Sequence, residues 1–297
     1  MAGCRNCSAT FDLDGQDRLA ETNSNESLSL REIADAIQRV SAPSRRQPRP
    51  LIPGPLAGSA KWVFRLRKLS MPGVLVYDRR MNLQNSYWDT VAYRKKFGHP
   101  LLMDEIDRHV EHQSPILDCG CGYGRSIREL HQNGFCNLYG VDNSSGMIGR
   151  AKEENPFARY VRNSGAEIPF CDGSFDAVLL LAVLTCMPDS REQTRLFTEL
   201  FRVLKGGGIL YVSDLLINSD VRNRERYERF ERRHGCYGVF ELDEGVTLRH
   251  HARDYLERLA ASFQKISVQE FQVETMNGHQ SRAIRMILQK QPRNLRA

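Results

Sequence analysis

Two hydrophobic rhythms alternate along the chain between residues 115 and 290. Short unbroken apolar runs bounded by turn residues predict buried parallel strands. These are Ile116 and Leu117 ending on Asp118, Leu138 to Val141 ending on Asp142, Ala158 to Val161, Phe175 to Leu181, and the stretch KGGGILYVSD. Between them, Ser126 to Leu130, Met147 to Lys152 and the residues from Asp189 or Ser190 to Leu204 take helical spacing, the second with Ser144 placed to cap it. Ala252 to Ala261 predicts a further helix, and Gln264 to Val273 with Ser281 to Leu288 alternate like a closing antiparallel pair. Strand and helix in turn give an α/β fold: a Rossmann-like seven-stranded sheet, mostly parallel with an antiparallel closing strand, flanked by helices.

The pattern changes on either side of this block. Residues 82–113 place apolar and aromatic positions at helical spacing around a break at Gly98, His99 and Pro100, which predicts two helices before the first strand. Between Leu215 and His251 the rhythm loosens. NSDVRNRERYERFERRHG reads as an exposed, charge-laced helix with a solvated face, and GCYGVFELDEGVTLRHH sets two glycines around Tyr237 before a polar cluster at Arg249, His250 and His251. Upstream, Asp12 to Ser29 is polar, Leu30 to Val40 has one short helical pattern, and Ser41 to Pro55 is an Arg- and Pro-rich linker. The organisation is therefore a basic, disordered N-terminal extension over 1–80, helices over 81–114, one domain over 115–290 containing an insertion at 215–251, and a tail at 291–297. The shift in composition near Met81 also fits a start of translation there, with the preceding segment as an upstream extension.

Composition narrows the function. A chain of 297 residues with 41% hydrophobic content suffices for one well-buried α/β domain plus extra segments. No apolar run reaches membrane-spanning length, and the opening MAGCRNCSAT lacks the apolar core of a signal peptide, so the expected location is cytoplasmic. Of the net charge of +6, residues 1–80 carry +5 and the remainder +1, so the folded body offers no nucleic-acid face. Cys4 and Cys7 form a C-x-x-C without a second pair, and no metal site is expected. Cys119, Cys121 and Cys171 lie in or beside the expected site, and a reducing compartment would keep such thiols free.

The candidate chemistry sits where the first strand ends. Gly120, Gly122 and Gly124 at alternate positions let the backbone take positive φ and let a ligand lie against bare peptide groups at a helix N-terminus. Asp118 offers a carboxylate suited to an amine rather than a phosphate. A dinucleotide fingerprint needs a glycine where this chain has Arg125, which weakens a pyrophosphate reading. Asp142, at the end of the second strand, stands where an acid takes both hydroxyls of a ribose. Together they suggest an adenosine without a pyrophosphate.

These residues resemble the class I S-adenosylmethionine-dependent methyltransferases, and within them the type 11 group. FRVLKGGG is similar to that group's R-V-L-K-P-G-G, with Gly206 in the proline position. The resemblance implies that Asp118, Gly120, Cys121, Gly122 and Gly124 hold the methionine part, and that Asp142 with Asn143 holds the ribose. Met147 then presses on the adenine or fills core space, and Leu181 ends the strand facing the reaction centre. Ser164 stands where the group usually has an acid for the adenine amine, with the backbone of Gly165 and Ala166 as substitutes. The leading helices fold over the cofactor as a lid, which makes Tyr87, Trp88 and His99 contact candidates. The insertion builds the acceptor pocket from Tyr237, Glu241, Arg249, His250 and His251, with His250 first among them as the base. Neither an N/D-P-P-Y signature nor a Pro-Cys nucleophile follows Leu181, so Cys186 is a wall residue. The expected activity is methyl transfer from S-adenosylmethionine by direct displacement onto a small or medium-sized molecule. The alternatives are a non-catalytic cofactor-binding module serving a partner, or an RNA methyltransferase using the basic arm. The acceptor and the oligomeric state are not legible in the residues.

Overall fold

The computed structural model describes residues 84, 86–163 and 167–292. The expected N-terminal extension, the C-x-x-C pair, Met81, and Ser164, Gly165 and Ala166 lie outside the described residues.

The helix at 86–91, here α1, and the short α2 (Met103–Asp107) are separated by an irregular stretch that includes Gly98, His99 and Pro100. Then β1 (Ile116–Cys119), α3 (Arg125–Gln132), β2 (Leu138–Asp142), α4 (Ser145–Glu154), β3 (Arg159–Arg162), β4 (Phe175–Leu181), α5 (Ser190–Val203) and β5 (Leu204–Leu215) follow in strict alternation. The insertion forms α6 (Val221–His234) and a hairpin of β6 (Val239–Glu241) and β7 (Thr247–Arg249), and α7 (Arg253–Leu259), β8 (Gln264–Glu274) and β9 (Gln280–Gln289) close the chain. The hairpin is the one described sheet element the hydrophobic pattern does not announce, because three-residue strands are too short to show a period.

The main sheet runs β3-β2-β1-β4-β5-β9-β8, with β9 antiparallel to both neighbours and the other pairs parallel. Why the strand sequences are continuously apolar follows from that layering. Ile116, Ala177, Leu179, Ile209 and Tyr211 point into one buried cluster with Ile127 and Leu130 of α3, while Leu117, Val178, Leu180, Leu210 and Val212 point into another with Phe197 and Leu200 of α5. A strand covered on both faces has no polar face to alternate with.

The order of strands places the site. After β1 the chain builds outward through β2 and β3, then returns to lay β4 on the other side of β1. The connections leaving β1 and β4 therefore part in opposite directions and leave a crevice beyond their C-terminal ends. Ser144 accepts from the Met147 amide at 3.1 Å and caps α4 as expected, and Asp189 rather than Ser190 caps α5, accepting from the Arg191 and Glu192 amides.

The leading segment is tied over this crevice. Tyr87, Val91 and Ala92 pack with Tyr123, Met147, Tyr227 and Phe240 in a third apolar cluster. Asp89 accepts from the Gly146 amide at 2.9 Å and the Ser144 hydroxyl at 2.6 Å, an anion at the N-terminus of α4. The charge-laced helix departs from the expected solvated face: Asn223 and Tyr227 of α6, one turn apart, are buried, and Tyr227 packs against Phe240 of the hairpin.

Close approach of α3 to the sheet depends on Gly140. A methyl group there would lie 2.8 Å from Cys121 Sγ and Tyr160 Cδ1 and 2.9 Å from Ile127 Cδ1, in a layer without slack. Gly140→Ala is expected to lower stability by roughly 1–3 kcal/mol through overpacking, read as a lower urea midpoint at unchanged m-value. A midpoint equal to the wild type would show that this layer yields.

Candidate active site

Beyond the C-terminal ends of β1, β2 and β4 lies a cavity of about 1110 Å³. It takes its walls from segments far apart in sequence: the glycine turn after β1, the ends of β2 and β4, α6 with the hairpin, and Gln84, Trp88 and His99 of the leading segment.

The turn comes first. Gly120, Gly122 and Gly124 all have positive φ, at 78°, 53° and 76°. At Gly120 the lack of a side chain has a second use, since a Cβ there would sit 2.4 Å from Val183 Cγ2, on the loop that returns after β4. Asp118 is buried under this turn. Ser126 donates to its Oδ2, while Oδ1 has no hydrogen-bond partner among the described residues. Burial pushes the carboxyl up to about 6, against the Ser126 hydroxyl and the Arg125 charge that pull it down. An unmatched carboxylate oxygen in a cavity wall is satisfied by a cationic amine.

Asp142 is bound more fully by its own loop. Its oxygens accept from the Gly122 and Ser144 amides, each at 2.9 Å, which locks the carboxylate between the glycine turn and the start of α4. Burial raises its pKa and these amides oppose the rise. With the Asn143 amide as a third donor, the carboxylate keeps acceptor capacity for a ribose hydroxyl.

Of the residues expected to hold a nucleoside, Gly120, Cys121, Gly122, Asn143, Met147 and Leu181 line the same cavity as the two carboxylates. Gly124 does not. It is the N-cap of α3, packed against Asn155 and Tyr160. The Cys121 thiol is pushed far up by burial and donates weakly to the Gly122 carbonyl, so it is wall rather than nucleophile. Cys186 also lines the cavity, with burial raising its thiol pKa in the same way.

The acceptor side divides the remaining candidates. Trp88, His99, Glu241 and His250 face the cavity, while Tyr87, Tyr237, Arg249 and His251 do not. Tyr237 is partly exposed and meets the ring of Tyr227 edge-on. Arg249 bonds to the Pro188 carbonyl and the Ser190 hydroxyl, and its guanidinium stacks over Tyr255. His251 is held behind the wall by Gln193 at 2.9 Å, and burial brings its pKa down to about 3. Tyr87 packs in the cluster of the lid helix, edge-on to Trp88. Adjacent residues on an extended segment point opposite ways, which is why His250 and His251 part company.

Around His250 a polar chain runs back into α6. The imidazole Nδ1 lies 2.6 Å from the Tyr227 hydroxyl, the hydroxyl oxygen accepts from the Asn218 amide at 3.4 Å, and the Asn223 Oδ1 is 3.5 Å away on the donor side. Asn223 gives its amide N–H to Asp220, so its Oδ1 is the end turned to Tyr227. Which of Nδ1 and the tyrosine hydroxyl donates depends on the imidazole tautomer; Nε2 keeps its lone pair in the tautomer whose proton is on Nδ1. Burial, with Arg226 next in weight, holds the ring neutral, its pKa well below the usual histidine range.

Three residues outside the expected set hold the chamber together. Asp214, at the end of β5, accepts from the amides of Leu184, Thr185 and Leu215 at 2.9, 3.1 and 2.8 Å and shapes the loop after β4. Gln84 donates to the carbonyls of Cys186 and Thr247, both at 2.9 Å, and accepts from the Thr247 amide. Arg125, the residue that spoils a dinucleotide fingerprint, reaches back to the His99 carbonyl at 2.5 Å. An acid closing a buried strand was a visible signal for Asp214; nothing local marks Gln84. Among the described residues no group of three or more His, Cys, Asp or Glu is placed to hold a metal ion, and no helix is long and apolar enough to cross a membrane.

Comparison with known proteins agrees with this geometry. A family model described as a methyltransferase domain matches residues 117–212, from β1 into β5. An uncharacterized methyltransferase of Synechocystis is 37% identical over 153 residues, covering 52% of this chain and 68% of that protein. A sterol 24-C-methyltransferase of Gibberella zeae is 30% identical over 146 residues, covering 46% of this chain but 38% of its own length. Among solved structures, a SAM-dependent methyltransferase of Methanosarcina mazei superposes with a TM-score of 0.61 at 27% identity, over 64% of this chain and 99% of that one. With a seven-stranded sheet in this order, two acids at the ends of neighbouring strands and these relatives, the chain belongs to the class I S-adenosylmethionine-dependent methyltransferases.

Proposed function

We propose that the chain transfers a methyl group from S-adenosylmethionine to a small or medium-sized molecule by direct displacement. The observation that carries this reading is the shared cavity, in which the unmatched oxygen of Asp118 and the amide-held carboxylate of Asp142 share walls with the neutral imidazole of His250. When bound, S-adenosylmethionine supplies a methyl carbon already activated by a neighbouring sulfonium charge.

The chain's own residues have three tasks. Asp118 pairs with the ammonium of the methionine part, Asp142 takes the ribose hydroxyls, and Met147 packs on the adenine; this sets the donor's orientation. Trp88, Phe240 and Leu248 keep water from the chamber. His250 Nε2 receives the proton of an acceptor hydroxyl or amine, and Tyr227 is the positioning residue that holds the competent tautomer. Burial keeps the ring unprotonated and also weakens it as a base, so it suits an acceptor whose proton leaves as the new bond to carbon forms. The sterol enzyme's name gives a small-molecule acceptor for that relative, and the apolar residues in the cavity wall support the same class here.

Two measurements test the assignment. For cofactor binding, an ammonium favours the ionised form of Asp118, and that form is lost as pH falls through about 6. The affinity for S-adenosylhomocysteine is therefore expected to weaken several-fold between about pH 7.5 and pH 5.5, and Asp118→Asn to bind weakly with that dependence removed. An unchanged pH dependence in the variant would take Asp118 out of the amine site. For catalysis, His250→Gln is expected to slow methyl incorporation into a metabolite extract by roughly a hundredfold at saturating cofactor, with the S-adenosylhomocysteine dissociation constant unmoved. Incorporation at the wild-type rate would remove the imidazole from the mechanism.

A further inference from the structure

Of the three arginines that α6 gives to the cavity wall, Arg233 is paired with Glu241, and the chemistry above does not use the other two. Arg222 and Arg226 stand one turn apart on the same face and both line the cavity. Arg226 is half-buried with its guanidinium 3.5 Å from the centre of the Phe240 ring, and its Nε is buried with no hydrogen-bond partner. Neither arginine has an ion pair among the described residues, although α6 and the hairpin are rich in charge.

The nearby acids make their closest bonds to other groups. Asp220 caps α6 by accepting from the Asn223 amide, and Glu241 is taken by Arg233 at 2.9 Å and His234 at 3.1 Å. Asp118 and Asp142 are taken by the methyl donor in the reading above. Two like charges a turn apart repel, and the Tyr227 hydroxyl and the charge of Asp220 only partly offset the cost of burying the Arg226 guanidinium. Burial, which lowers the pKa of Arg226, is the sign of that cost. The stacking on Phe240 offsets part of it and fixes the plane of the guanidinium, and its edge donors suit an oxyanion in the fork geometry that arginine prefers. Trp88, Val239, Leu242 and Leu248 complete an apolar surround.

We infer that the methyl acceptor is an acidic small molecule, an apolar body bearing one carboxylate or phosphate, and that Arg226 with Arg222 pairs with its anionic group. The inference rests on the methyl-transfer reading, and it makes these arginines specificity-determining. Bound this way, the acceptor's charged end is anchored on α6 and its body lies along Phe240 toward His250, whose ring meets Phe240 edge-on at 5.0 Å.

The test uses the full chain saturated with S-adenosylhomocysteine, titrated by calorimetry with octanoate, octyl phosphate and neutral octanamide. The two acids are expected to bind roughly tenfold more tightly than the amide. Arg226→Gln is expected to erase that preference at unchanged S-adenosylhomocysteine affinity, and Arg226→Lys to keep part of it. The stronger of the two acids identifies the anionic group. If Arg226→Gln does not fold, Arg222→Gln, on the more exposed arginine, carries the same expectation at smaller size. Equal binding of all three probes, no binding of any at millimolar concentration, or a preference that survives in the folded variant overturns the inference. Absence of S-adenosylhomocysteine binding in the wild type would instead overturn the parent reading, so the two failures are distinct.

Discussion

Two carboxylates buried at the edge of an apolar sheet set the terms for the rest of this structure. Asp118 and Asp142 end neighbouring parallel strands, and Asp118 lies opposite Gly140 in the register, so both acids reach the same crevice. A carboxylate in that position costs free energy unless donors surround it. The glycine turn and the start of α4 supply those donors to Asp142 as backbone amides, while Asp118 receives one hydroxyl and keeps one oxygen unmatched. The asymmetry divides the work. The fully held acid fixes the loop geometry, and the partly held acid retains an attraction for a cation.

The loop after β4 is the second constraint. Ala182 has φ of 54°, a left-handed conformation that an alanine adopts at a cost of roughly 1–2 kcal/mol. The Ala182 amide bonds to the Ser213 carbonyl at 2.7 Å, and Asp214 gathers the amides of Leu184 and Thr185. That turn brings Val183 over Gly120 and presents Cys186 and Thr185 to the cavity. Ordered hydrogen bonds at one strand end thus offset strain at its neighbour and bend the chain around the crevice.

Closure of the chamber is distributed. Asp89 binds the N-terminus of α4, Gln84 pairs with the Thr247 backbone, and Arg125 holds the His99 carbonyl. Each bond joins the leading segment to a different part of the body. His99 illustrates the result: its Nδ1 bonds to the Ser213 hydroxyl at 3.0 Å, and burial draws its pKa down to about 4, so the ring lines the cavity as a neutral group. The neutral imidazoles of His99 and His250 and the guanidinium groups of Arg222 and Arg226 give the acceptor side a character unlike that of the two carboxylates.

The residue pattern alone determined the sheet, because strands buried on both faces are continuously apolar and the helices between them keep their own period. It also determined the glycine turn and the acids at 118 and 142, since each depends on a residue type at a fixed distance from a strand end. Only the tertiary structure decided the acceptor side. Nothing in the local run of residues separates His250 from His251 until the hairpin turns one toward the cavity and the other toward Gln193. The same holds for α6, whose charged sequence reads as solvated until Tyr227 is buried against the hairpin and Arg226 is laid on Phe240. Contacts between segments more than twenty residues apart leave no periodic trace in either segment, and this chamber is built from such contacts.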